Sequence, residues 1–169
     1  MKHPSIPETS PDVTSEIHGF LALCRTVVFK GIANRRYLLA LQYFYTACRL
    51  REIGLNPSEF TYEIIINYAK ILEVLFRSDS TEAIRVGLAK LGYSSEEIEE
   101  DFIPVMIIRS KFNGAHPTTV IITIDESKAI TDYINQCDKI FRDLLTNARD
   151  QIVSGAFVLP NNEVVQLDK

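Results

Sequence analysis

The residues whose types and spacing could do chemistry lie in one stretch, Arg109-Ser110-Lys111-Phe112-Asn113-Gly114-Ala115-His116-Pro117. A guanidinium can grip two phosphate oxygens through its planar fork. An imidazole with a pKa near neutrality can take a proton or give one. Cleavage of an RNA phosphodiester needs both services. The 2′-hydroxyl must lose a proton, the phosphorane must be stabilised, and the leaving 5′-oxygen must gain a proton. On that chemistry Arg109 is the candidate phosphate clamp and His116 the candidate acid–base. Ser110 or Asn113 would orient the scissile group, and Lys111 would add positive charge. None of these steps requires a metal, and no cofactor is implied. A single histidine does not readily serve both proton transfers. The plainer reading of His116 is a histidine at a helix C-terminus, where its proton interacts favourably with the helix dipole.

A helix must present this stretch. Val105, Ile107, Ile108 and Phe112 supply an apolar surface that leads into it, and Gly114 with Pro117 stops it. Upstream, Ser94 or Ser95 caps the run Glu96-Glu97-Ile98-Glu99-Glu100-Asp101, whose charges suit the first turns of a helix. Pro104 then predicts a kink or a new start.

The remaining elements follow from periodicity. Residues 1–14 form a poorly ordered, proline-containing arm. A helix from Ser15 to Lys30 carries Ile17, Phe20, Leu21, Cys24, Val27 and Val28 on one face. A second, from Asn34 to Ile53, carries Tyr37, Leu38, Leu41, Phe44, Tyr45 and Cys48, and stops at Gly54. Ser58 opens a third that runs to Arg77, with Ile64, Ile65, Tyr68, Leu72, Leu75 and Phe76 inward. A short fourth spans Ser80 to Leu91 and ends at Gly92. Thr118–Ile124 is β-branched and predicts a strand or extended connector. The longest helix spans Ser127 to Val153, with Ile130, Ile134, Cys137, Phe141, Leu144 and Ala148 as a narrow seam, and ends at Gly155. Residues 155–169 predict a small hairpin or a loose tail. The expected fold is all-α, a bundle of five to six helices with a long C-terminal helix and at most a minor β element. Residues 15–154 make its single domain.

With the helices placed, the chain resembles the HEPN superfamily, in its larger ApeA-like and abortive-infection-like branch. Arg109 and His116 match the R-x4-6-H signature at the end of an apolar helix, and Ala69-Lys-Ile-Leu-Glu-Val-Leu-Phe76 resembles the A-x-x-L-E-x-L-F helix that precedes it. Ser110 stands where the family often has Asn, Asp or His, and Pro117 where glycine is frequent. The resemblance covers residues 60–150. It implies a metal-independent ribonuclease of prokaryotic defence or toxin–antitoxin systems. It also implies a homodimer that brings two motifs to one cleft, and an antitoxin or nucleotidyltransferase as partner. Within it, Glu73 would hold Arg109 or His116 in place; otherwise it is an exposed helical glutamate. The competing readings are a non-catalytic module that binds nucleotide or a partner protein, and a bundle that only mediates assembly.

Composition bounds these readings. The chain has 169 residues and a net charge of −4, which argues against a protein that coats nucleic acid generally. No apolar run reaches the ~20 residues of a membrane span, and no signal-peptide pattern is present, so a cytoplasmic protein is expected. Cys24, Cys48 and Cys137 form no paired motif and read as reduced core thiols. Between Glu16 and Glu52 there is no acidic residue, while Arg25, Lys30, Arg35, Arg36, Arg49 and Arg51 fall there. That bias is either a solvated face paired with a neighbouring helix or a basic surface that attracts phosphate.

Overall fold

A computed structural model describes residues 35–54, 59–113 and 123–160; in helical residues 112 and 113 the description stops at the backbone. All of these belong to the unit formed by residues 34–169. The expected helix at 15–30 and the tail beyond 160 lie outside the described residues.

The described chain is all-α. Helices α1 (Arg35–Ile53), α2 (Thr61–Phe76) and α3 (Thr81–Lys90) are followed by a short turn of helix, α4 (Ser95–Glu97). A π-helical segment (Ile98–Phe102) leads into α5 (Ile103–Asn113), and α6 (Ile124–Ser154) is the long C-terminal helix. Among the described residues there is no strand. Residues 118–122 of the expected extended segment fall outside them, and Ile124 already belongs to α6. The helix starts earlier than periodicity suggested because Thr123 caps it. The Thr123 hydroxyl accepts from the Glu126 N–H, and the Glu126 carboxylate accepts from the Thr123 N–H.

α2 is the central element. It packs on α1, α3, α5 and α6, and its contact with α1 is the most extensive in the unit. Its sequence explains this: Ile64, Ile65, Tyr68, Ala69, Ile71, Leu72 and Leu75 are all buried, a face wide enough for several neighbours. α1 buries Tyr37, Ala40, Leu41, Phe44 and Ala47, and its Phe44 ring lies 6.4 Å from Tyr68 of α2. This face is rotated from the expected stripe. Leu38 and Tyr45 are 41% and 44% exposed, while the small residues Ala40 and Ala47 are fully buried in their place. The α6 seam holds at Ile134, Cys137, Phe141, Leu144 and Ala148, with Leu145 added. Ile130 lies outside the buried set.

Aromatic rings join these layers. The Tyr68 ring lies 4.7 Å from Phe141, and Phe102 packs edge-on to Phe141 at 5.8 Å. Polar links run beside them. The Asp138 carboxylate of α6 accepts from the Tyr68 hydroxyl at 2.8 Å and the Cys48 thiol at 3.1 Å, and pairs with Arg51 at 3.2 Å.

Pro104 does not break its helix. It follows a π turn in which the Ile103 N–H reaches back to the Ile98 carbonyl. Proline lacks an N–H and its ring crowds the carbonyl four residues earlier; the wider turn just before it accommodates both. Ser94, not Ser95, caps this run, with Glu97 closing a capping box.

Candidate functional site

Arg109 projects from the buried side of α5. It lies four residues after Val105 and three after Met106, both fully packed, so it shares their face toward α2. Glu73 meets it there. It follows Leu72 at the edge of the buried face of α2 and forms an ion pair with the Arg109 Nη1 atom. Both side chains are 21% exposed. Glu73 Oε1 is buried and makes no aligned hydrogen bond, so the contact is one of charge. Burial pushes the Glu73 carboxyl above its ordinary pKa, and Asp79 pushes the same way, while Arg109 and Lys70 pull it down.

The other motif residues divide. The Ser110 hydroxyl donates to the Met106 carbonyl at 2.9 Å, back-bonding to its own helix. Lys111 lies 3.7 Å from Glu126, both exposed, at the start of α6. The helix ends that bracket His116 are therefore neighbours. Asn113 is the last residue of α5, its side chain beyond the description. His116 itself lies outside the described residues. The structure thus brings Glu73 to Arg109 and relates Lys111 to α6, and it turns Ser110 toward its own backbone.

Two groups around the pair carry no signal in the Arg–His spacing. Lys70 lies one turn before Glu73, with its ammonium 5.2 Å from the centroid of the Tyr43 ring. The Arg36 Nη1 atom donates to the Val74 carbonyl at 3.4 Å. Lys70 could have been found by drawing the strip of α2 at residues 70, 73, 74 and 77 rather than its buried face, whereas Arg36 comes from α1. The Asp138 cluster was equally hidden, since its members come from three helices.

Among the described residues no group of three or more His, Cys, Asp or Glu side chains could hold a metal ion. No described helix is long and apolar enough to cross a membrane. The chemistry available is anion binding by a guanidinium already oriented by a carboxylate. Searches with the whole chain found no matching family model, curated protein or solved structure.

Proposed function

We propose that the chain is a HEPN-like domain that cleaves RNA without a metal, in a prokaryotic defence or toxin–antitoxin setting. The observation that supports this is the Glu73–Arg109 ion pair. It joins the two sequence segments that carry the resemblance, one on α2 and one on α5. A carboxylate on Nη1 leaves the rest of the guanidinium fork to hold a phosphate, in an orientation already set. His116 takes the proton of the 2′-hydroxyl as that oxygen attacks phosphorus. The bond to the 5′-oxygen breaks, and a second imidazole, from another copy of the chain, protonates the leaving group. The products are a 2′,3′-cyclic phosphate and a 5′-hydroxyl. In this reading the protein works in the cytoplasm, as a homodimer, with an antitoxin or nucleotidyltransferase as its regulator.

Labelled RNA incubated with the purified protein in EDTA tests the reading. Cleavage is expected for the wild type and is expected to be lost in His116→Ala and in Arg109→Ala, with helical circular dichroism unchanged in both. Cleavage that persists in both variants would remove this site as its source.

A second reading is a module that binds nucleotide or a partner protein without cutting it. It is favoured by two observations: Arg109 is already charge-compensated, and the Ser110 hydroxyl is given to Met106. Nucleotide binding that survives, with no cleavage of any RNA, would select it.

A further inference from the structure

The exposed face of α1 has a regularity that its buried face does not explain. Arg35, Leu38, Gln42, Tyr45, Arg49 and Glu52 are all exposed, and their spacing alternates between three and four along the whole helix. That is the repeat of a helix that packs along one seam against another helix. Leu39 and Ile53 flank the seam on one side and are exposed as well. The apolar side chains of this face therefore lie in one line, where exposed apolar residues are ordinarily scattered.

The charges on the seam add a second observation, because they are placed against the helix that carries them. Arg35 stands at the N-terminal end of α1 and Glu52 in its last turn. A helix favours negative charge at its N-terminal end and positive charge at its C-terminal end. The first turn of α1 has no acidic residue, and the cation of its last turn, Arg51, is paired with Asp138. Among the described residues Arg35, Arg49 and Glu52 form no ion pair. Arg35 and Glu52 lie about 26 Å apart along the axis, so they cannot pair within one chain.

We infer that this seam binds a second copy of the chain, the two α1 helices packing antiparallel about a two-fold axis midway between Gln42 and Tyr45. In that register Arg35 faces the partner's Glu52, Leu38 lies against the aliphatic stem of the partner's Arg49, and Gln42 meets the partner's Tyr45. The two ion pairs bring to each helix end the charge that its own dipole lacks. A parallel pair would set Arg35 against Arg35 and Glu52 against Glu52, so the charges select the antiparallel arrangement. The seam is about 26 Å long and one helix wide, less than a standard protein–protein interface, so the dimer dissociates on dilution. Neither Arg109 nor His116 belongs to α1, and the contact stands whether or not the protein cuts RNA.

The test follows the mass of the full chain by sedimentation velocity over a concentration series in the micromolar range. The wild type is expected to shift from monomer to dimer as concentration rises. Arg35→Glu sets glutamate against glutamate across the seam, and Glu52→Arg sets arginine against arginine. Each alone is expected to weaken the dimer roughly tenfold. Both substitutions improve the charge at the ends of α1 itself, so a loss of association does not come from a weaker helix. Mixed in equal amounts, the two variants are expected to pair with each other at wild-type strength, and the double variant is expected to pair with itself. Leu38→Lys, set against Arg49, is expected to weaken the dimer by a similar factor with helical circular dichroism unchanged. Val86→Lys, exposed on α3, is expected to change nothing. A wild type that stays monomeric at every concentration overturns the inference and leaves the seam to a different partner. A dimer that survives both single charge variants and Leu38→Lys overturns it too, since another surface would then hold the copies together. Failure of the mixture to regain association overturns the antiparallel register.

Discussion

Glu73 and Arg109 are the residues on which the site turns, and their energetics are opposed. Removing both charges from water is costly, and the pair recovers that cost only through each other. Burial, and to a lesser extent Asp79, lifts the Glu73 pKa, and Arg109 is the largest influence holding it down. Arg109→Ala should therefore raise the Glu73 pKa further, which carboxyl-carbon NMR titration reads directly. The sign for stability follows. A carboxylate with a raised pKa binds more protons folded than unfolded, so stability falls as pH rises from the unfolded value through the folded one. Without Arg109 that window extends upward. The destabilisation of Arg109→Ala is expected to be small at about pH 4 and to grow to about 1–2 kcal/mol at about pH 7, measured by urea unfolding. A penalty independent of pH would mean that Arg109 contributes packing only. At this scale the sequence was informative about one contact, Glu73 with Arg109: Glu73 stood out as a charge beside Leu72 on an apolar helix. It gave Ser110 an orienting role that spacing alone cannot fix, because a serine at that position satisfies its own helix as readily as it faces a ligand.

Helices here are positioned by a few contacts that tolerate no extra atom. Gly87 of α3 is buried against α2, and a Cβ placed on it would lie 2.2 Å from Cδ1 of the Phe76 ring. Phe76 also packs edge-on to Phe157, at 6.3 Å between ring centroids, so the ring has little freedom to withdraw. Gly87→Ala gains helix propensity on paper, by about 1 kcal/mol. Overpacking costs about 1–3 kcal/mol, and a half-buried ring held against Phe157 decides the balance. The variant is expected to be less stable by urea denaturation, and Phe76→Leu in the same chain is expected to return part of the loss. A more stable Gly87→Ala would show that the α2–α3 contact is soft. Among the described residues helix existence was legible, because apolar periodicity and the stops Gly92 and Gly155 are local signals. Helix rotation was not. In α1, Leu38 and Tyr45 looked inward from hydrophobicity alone, yet the buried face carries the small residues Ala40 and Ala47 instead. Size complementarity between two helices cannot be read from either one.

At the scale of the whole unit, α6 is tied to the α1–α2 pair by buried polar contacts as well as by packing. The Tyr37 hydroxyl donates to the Leu145 carbonyl at 2.8 Å, and Tyr68, Cys48 and Arg51 all converge on Asp138. Burial and the neighbouring Asp138 carboxylate hold the Tyr68 phenol far above its ordinary range, so it remains a donor at every physiological pH. α6 therefore cannot lift away without stranding several polar groups, each costing about 1–3 kcal/mol. Cys137 reports on this. It is fully buried beside Asp138, and burial pushes its thiol pKa up to about 12. At about pH 8 only roughly one molecule in ten thousand carries the thiolate, and none of that sulfur faces solvent. Alkylation of Cys137, followed by peptide mass, is expected to proceed at the rate of global unfolding and to rise with denaturant in step with loss of helicity. Asp138→Ala unpairs Arg51 and the Tyr68 hydroxyl together, so it is expected to accelerate that labelling while leaving the unfolded-state rate unchanged. Labelling of wild-type Cys137 well ahead of helix loss would mean that α6 opens by itself, and the Asp138 contacts would then not be what couples it to the α1–α2 pair.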